Sequence, residues 1–193
     1  VLAGSLNVNG SIGAGSLTVT NGATLGGTGT IGGAVTLQPG ASAIFSVTNN
    51  GGVNGTPMGV SGTMTLNTNA VTIFVPGSTP LPLGTYTLAN VAGGITGGFV
   101  TNLTSFNFTG AGVAPGTSSS ISNGVNSAVL IVAPAGITSA WITDLAGGTG
   151  TWTVAPNWDT NPNVPTNRGD VAILGVGSAV STVTVDADIA VGG

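Results

Sequence analysis

Short runs of alternating apolar and polar residues, separated by glycine or by Asn-Gly pairs, recur along most of this chain. SLTV at residues 16–19 and TMTL at residues 63–66 are typical, with apolar side chains on one face and Ser or Thr on the other. A period of two residues indicates half-buried β-strands, and Asn-Gly pairs favour turns because both residues tolerate positive φ. No stretch keeps a helical period over two turns. The pattern therefore predicts an all-β protein.

The spacing and repetition of these runs favour a parallel β-solenoid, with a β-sandwich as the alternative. Early strands recur roughly every 10 to 12 residues, too close together for helical crossovers. Asn-Gly turns would join antiparallel strands in a sandwich, or turn corners between sheets in a solenoid. GSLNVNG at residues 4–10 returns as GSLTVTNG at residues 15–22. Such repetition is expected of stacked rungs, each of roughly 18 to 22 residues, with apolar side chains inward and glycine where the backbone bends.

The composition argues against catalysis. Charged residues make up 3% of the chain and histidine and cysteine are absent, whereas about a quarter of an average domain is charged. Acid–base and nucleophilic catalysis recruit mostly His, Cys, Lys, Glu or Asp. We therefore predict a non-enzymatic protein without a cofactor. Hydrophobic residues nevertheless reach 41%, which is enough to bury a core.

Charge and hydropathy also limit the partners and the location. A single cation, Arg168, cannot neutralise a phosphate backbone, so nucleic-acid binding is excluded. The longest apolar run, residues 128–133, is far shorter than the roughly 20 residues of a membrane-spanning helix. No basic and apolar leader is visible, and the chain begins with Val, so we expect a processed protein or a piece of a longer one. Low charge favours an extracellular location.

The character of the sequence changes near residue 135. APAG at residues 133–136 has the composition of a linker, and all tryptophans and charged residues follow it. We therefore predict a β-solenoid over residues 1–134. Residues 137–193 form a second segment containing the Trp and Asp residues, interpreted as further rungs of the same solenoid.

One part of the sequence resembles a known family. LTVTNGATLGGTGTIGGAVTLQPGASA at residues 17–43 is similar to the autotransporter-associated β-strand repeat of large bacterial secreted and surface proteins. The similarity lies mainly in GGTGTIGG followed by a VTL strand and a PG turn. Residues 84–88, 127–132 and 152–175 resemble other parts of the same proteins more weakly. The resemblance implies a right-handed parallel β-helix, exported to the bacterial surface or the medium, with no particular catalytic activity.

The two ends of the sequence suggest self-association. Residues 183–193 have the rhythm of a strand leading into another, and residues 1–8 read as its continuation. Unprotected strand edges promote assembly, and neither end carries Lys, Pro or a charge cluster. We therefore predict a filament or stalk, built end to end from separate subunits or tandem copies. The predicted stacking contacts are Val1, Leu2, Leu6, Val8, Val185, Ile189 and Val191.

The tryptophans allow a second hypothesis. Trp141, Trp152 and Trp158 could stack on sugar rings in an adhesive or carbohydrate-binding module that recognises surface glycans. They could equally fill a core, and this interpretation is favoured because tryptophan is usually largely buried.

The few charged residues allow two further interpretations. Asp186 and Asp188 form a D-x-D pair, which could bind a hard cation but more often lies on a solvated face. Arg168 with Asp159 or Asp170 could imitate the carboxylate machinery of a glycoside hydrolase, but such groups more often form a loop-fixing salt bridge. We predict neither a metal site nor a catalytic site.

Overall fold

The computed structural model describes residues 1–99, 106–141, 149–166, 170–174 and 182–185 of the 193-residue chain. The prediction of an all-β chain is confirmed, since the described elements are nineteen strands and a single 3₁₀-helix turn at Ala155–Asn157. None of the described helical residues forms a segment long and apolar enough to cross a bilayer. By contact clustering the chain divides into two compact units, Val1–Ala133 and Pro134–Gly193.

The strands of the first unit are numbered in chain order. They are β1 Ser5–Asn7, β2 Ser11–Ile12, β3 Leu17–Val19, β4 Thr24–Gly26, β5 Thr30–Ile31, β6 Val35–Leu37, β7 Ser42–Ser46, β8 Met58–Val60, β9 Met64–Thr65, β10 Ala70–Val75, β11 Gly84–Val91, β12 Ile95–Thr96, β13 Phe106–Gly110, β14 Thr117–Asn123 and β15 Ser127–Pro134.

These strands form three sheets that the chain visits in turn. The first sheet has the order β1-β4-β7-β10-β13, the second β2-β5-β8-β11-β15-β14 and the third β3-β6-β9-β12. One circuit is a passage through all three sheets. Strands of successive circuits pair in parallel, and this differs from the antiparallel sheets of the β-sandwich alternative.

The length of the circuits varies along the unit. In the first sheet Leu6 pairs with Leu25 and Leu25 with Ala43, 19 and 18 residues further on. Ala43 then pairs with Val71 and Val71 with Phe106, over 28 and 35 residues. The prediction of 18 to 22 residues per rung therefore fits the early circuits and is wrong for the later ones, because those include longer loops between strands.

Parallel pairing places apolar residues of successive circuits above one another. Leu25, Ala43 and Val71 occupy one such row and are buried. Residues at the alternate positions of the strands, such as Thr18 in β3, point outward. A core of stacked rows follows directly from the two-residue period, because alternate side chains lie on the same face of a strand.

The run of parallel circuits ends in an antiparallel strand. β15 pairs antiparallel with β11, and the loop before β15 covers the edge of β12. There the Val125 carbonyl accepts a hydrogen bond from the Ile95 amide at 2.6 Å, and the Asn123 side-chain oxygen accepts one from the Phe99 amide at 3.0 Å. Asn-Gly pairs serve both of the roles considered. Asn21-Gly22 turns a corner between sheets, and Asn123-Gly124 lies at the hairpin turn between β14 and β15.

The second unit contains two short parallel pairs. β16 Thr138–Ala140 pairs with β18 Val171–Ile173, and β17 Thr149–Thr151 pairs with β19 Thr182–Thr184. Its apolar cluster is formed by three tryptophans, with partly buried hydrophobic residues packed against them.

Truncation of one residue in a buried row should show how much the stacked core contributes to the free energy of unfolding. Leu25 is fully buried, so Leu25→Ala should lower the free energy of unfolding by about 3 kcal/mol through lost burial and the cavity that remains. Thr18→Ala on the outer face is the control and should change it by less than about 0.5 kcal/mol. Urea unfolding monitored by circular dichroism measures both. Equal effects would contradict the assignment of inward and outward faces.

The single tyrosine gives a pH-dependent signal from the first unit. Burial raises the pKa of Tyr86 above 10.0, and its hydroxyl donates a hydrogen bond to the Pro82 carbonyl at 2.9 Å. The unfolded chain ionises first as the pH rises, so the contribution of Tyr86 to the free energy of unfolding should be constant below about pH 10 and fall above it. Tyr86→Phe should remove this alkaline loss. Absorbance titration of the tyrosinate should give a higher pKa in buffer than in denaturant, and equal values would contradict the burial.

Candidate functional site

The three tryptophans lie together in the second unit. Trp141 follows β16, Trp152 follows β17 and Trp158 follows the 3₁₀ turn. The rings of Trp141 and Trp158 meet edge to face, with centroids 5.1 Å apart, and those of Trp152 and Trp158 are 4.9 Å apart at 66°. Edge-to-face packing places the positive ring edge against the negative ring face, so it stabilises the cluster beyond simple burial.

The cluster presents no open ring face for a sugar. Trp158 is 0% exposed, Trp141 5% and Trp152 6%. The indole N–H of Trp158 donates to the Trp152 carbonyl at 2.8 Å, and that of Trp152 donates to the Pro165 carbonyl at 2.9 Å. The burial and these bonds support the interpretation of the tryptophans as a core.

Two of the predicted acidic residues bind backbone amides around β16. The Asp159 carboxylate accepts a hydrogen bond from the Ala140 amide at 2.8 Å and one from the Ser139 hydroxyl at 3.3 Å. Asp170 is buried and accepts a bond from the Ile137 amide at 2.9 Å. Both carboxylates therefore position the strand that leads into Trp141.

The remaining charged residues, Arg168, Asp144, Asp186 and Asp188, lie outside the described residues, so the ion-pair and D-x-D interpretations stay untested. Within the described ranges no three His, Cys, Asp or Glu side chains approach one another as a metal site requires.

The predicted stacking residues occupy different environments. Val8 is buried, and Val1 and Leu6 are partly buried against the core of the first unit. Leu2 is 85% exposed, and Val185, in the second unit, is 56% exposed. Ile189 and Val191 lie outside the described residues. The structure thus gathers Val1, Leu6 and Val8 at the first circuit.

The first circuit forms the edge of all three sheets. β1, β2 and β3 are each the last strand of their sheet, on the same side. The edge of β3 is partly covered, because the Val1 ammonium donates to the Thr18 carbonyl at 2.6 Å and the Thr20 amide donates to the Val1 carbonyl at 3.0 Å. Within the described residues β1 and β2 pair on one side only. Such edges expose backbone N–H and C=O groups that can bind another strand. This surface, formed by β1 and β2, is called the N-terminal edge.

A column of glycines runs along one corner of the unit, where each circuit passes from the second sheet to the third. Its members are Gly15, Gly33, Gly62 and Gly93. A methyl group on Gly33 would fall on the Gly15 carbonyl, and one on Gly62 would lie 2.7 Å from the Gly33 carbonyl carbon. A methyl group on Gly93 would lie 2.6 Å from the Gly62 carbonyl carbon. These three positions must be glycine because the backbone of the preceding circuit leaves no room for a side chain.

The first glycine of the column lacks this structural reason. A methyl group on Gly15 would have no atom within 4 Å, and the same is true of Gly13 and Gly10 nearby. The corner of the first circuit therefore has an open space in the position that a preceding circuit occupies for the others.

No protein-family model and no curated protein sequence matches this chain. The resemblance to the autotransporter-associated repeat therefore stays a prediction from the sequence.

The tryptophan cluster can be tested as a core by removing its central ring. Trp158→Ala should lower the stability of the second unit by about 4 kcal/mol. Trp158→Phe should lower it by less, because a phenyl ring remains although the N–H bond and part of the buried ring are lost. Val154→Ala is the control, since Val154 is 44% exposed. Tryptophan fluorescence during urea unfolding reports this unit alone, because all three tryptophans lie in it. Unchanged unfolding of Trp158→Ala would contradict a core role.

Proposed function

We propose that this chain is a structural, non-enzymatic segment of an extracellular or cell-surface bacterial protein, and that its copies stack end to end into a filament or stalk. The first unit would be a right-handed parallel β-helix. Support for the helix comes from the regular visit to three parallel sheets, together with the strong preference of parallel crossovers for right-handed connections. The proposed location is supported by the resemblance to the autotransporter-associated repeat and by the low charge of the chain.

The glycine column is the observation that carries the proposal. Three of its members are glycine because a preceding circuit lies against them, and Gly15 keeps the same residue type where no such circuit is present. A further circuit stacked on the N-terminal edge would give Gly15 the same environment as Gly33. It would also satisfy the backbone groups that β1 and β2 leave facing outward.

The occupant that we propose is formed by the C-terminal strands β18 and β19 of a second copy. In the second unit, β18 and β19 each pair with an earlier strand on one side only, within the described residues. Their parallel arrangement suits a head-to-tail contact with β1 and β2 of the next copy. A heterologous contact of this kind generates an open filament unless rotation closes it into a ring. In a longer chain, tandem copies would make the same contact.

The open corner provides a substitution that separates assembly from folding. Gly15→Val places a side chain in empty space and should leave the unfolding free energy within about 0.5 kcal/mol of the parent chain. The same side chain would obstruct a stacked circuit. We therefore expect concentration-dependent sedimentation and regular filaments in negative-stain images for the parent chain, and a monomer for Gly15→Val.

Gly33→Val is the matched control. Its side chain would collide with the Gly15 carbonyl and should destabilise the fold by about 3 kcal/mol or more, since the backbone must shift. A parent chain that stays monomeric at all concentrations would overturn stacking by a second copy. Assembly of Gly15→Val equal to that of the parent would overturn the N-terminal edge as the contact.

A further inference from the structure

A groove of about 620 Å³ lies on the outer face of the first sheet. Its lining consists of polar uncharged residues, one glycine and two apolar side chains, and it shares Asn7 of β1 with the N-terminal edge. The volume lies within the range of small-molecule and glycan sites. The groove crosses all strands of the 5-stranded first sheet, from Asn7 in β1 to Thr109 in β13 by way of Ile44 and Phe74.

Two glycines lie at one end of the groove. Gly26 lies between Asn7 and Ile44 in the register of the sheet, at a position where its neighbours carry outward side chains. The next residue, Gly27, has φ +105° and touches the backbone of Val8, so it cannot carry a side chain either. The Asn7 side-chain oxygen fills the space above Gly26, 2.5 Å from where a methyl carbon would lie, and Asn7 and Gly27 both line the groove.

Phe74 is the apolar platform of the groove. Every aromatic residue of the chain lies in the described ranges, and Phe74 alone among them is exposed, with 43% of its surface accessible. Ile44, 36% exposed, lies beside it in the lining. Exposed phenyl rings on a rigid sheet offer a flat apolar face, which suits the C–H face of a sugar ring.

The polar groups of the lining are available to a ligand. They are amides and hydroxyls, and none makes a side-chain hydrogen bond to another described residue. No lining residue is ionisable, so the groove has no charge with which to recognise an anion or a cation. These polar residues are Asn7, Asn9, Thr28, Ser46, Thr72 and Thr109.

We propose that this groove binds an uncharged polysaccharide strand, laid across the strands along the direction in which circuits stack. Amides and hydroxyls would bond sugar hydroxyls, and Phe74 would stack on a ring. Ser46, Phe74 and Thr109 are in register on β7, β10 and β13, about 4.8 Å apart. That spacing is close to the length of one sugar unit in an extended glycan. This row therefore presents a hydroxyl, a phenyl ring and a second hydroxyl to successive sugars.

Affinity gel electrophoresis of the full chain tests the proposal. The gels contain hydroxyethylcellulose, glucomannan or dextran as neutral probes, or alginate as the charged probe. We expect retardation by at least one neutral polysaccharide and none by alginate. Phe74→Ala should weaken the binding about tenfold, as expected from the loss of one aromatic contact with its buried area. Phe74→Trp should retain it, and Phe74→Leu should lose most of it because the flat face is gone.

Leu83→Ala is the matched control, since Leu83 is 53% exposed and lies outside the groove; its binding should equal that of the parent chain. Circular dichroism should show that all variants are folded. Absence of retardation by every neutral probe, or binding unaffected by Phe74→Ala, would overturn the proposal. So would a loss of self-association in Phe74→Ala by sedimentation, because the groove would then hold a second copy. The stacking at the N-terminal edge is tested separately, by Gly15→Val.

Discussion

In-register parallel pairing between successive circuits is the interaction on which the first unit depends. Each strand is hydrogen-bonded to the strand one circuit away, so equivalent positions repeat about every 4.8 Å. An apolar residue such as Leu25 then lies against the equivalent residues of its neighbours and is removed from water. A charged residue at a repeated position would face a like charge at the same distance, which is destabilising. The 3% charged residues and the abundance of Ser, Thr and Asn follow from this geometry.

Close stacking also decides where side chains are forbidden. At the corner between the second and third sheets the backbones of adjacent circuits approach so closely that Gly33, Gly62 and Gly93 have no room for a methyl group. The two ends of the unit then differ. The last circuit is closed by the antiparallel strand β15 and the loop around Val125, whereas the first leaves Gly15 and the edge of β1 open.

The second unit buries its apolar side chains in a different way. It has two short parallel pairs, and in place of long rows of aliphatic side chains it buries three indoles against one another. Asp159 and Asp170 accept hydrogen bonds from the backbone beside β16. For Asp170, which is buried, this bond compensates for the loss of water. Trp158 is the centre of the cluster because it contacts both other rings and donates to the Trp152 carbonyl.

The sequence by itself determined the strand content and the faces of the strands, because a two-residue period assigns each side chain to one side of a strand whatever its partners are. The alternation in residues 70–75 already placed Phe74 on the same face as Thr72. Parallel pairing, the longer late circuits and the closing hairpin were decided only by tertiary structure, since Asn-Gly turns suit corners and hairpins alike. The open space at Gly15 and the groove beside Phe74 were also beyond the sequence. A glycine shows that a side chain is missing, and only the packed neighbours show whether backbone or solvent occupies its place.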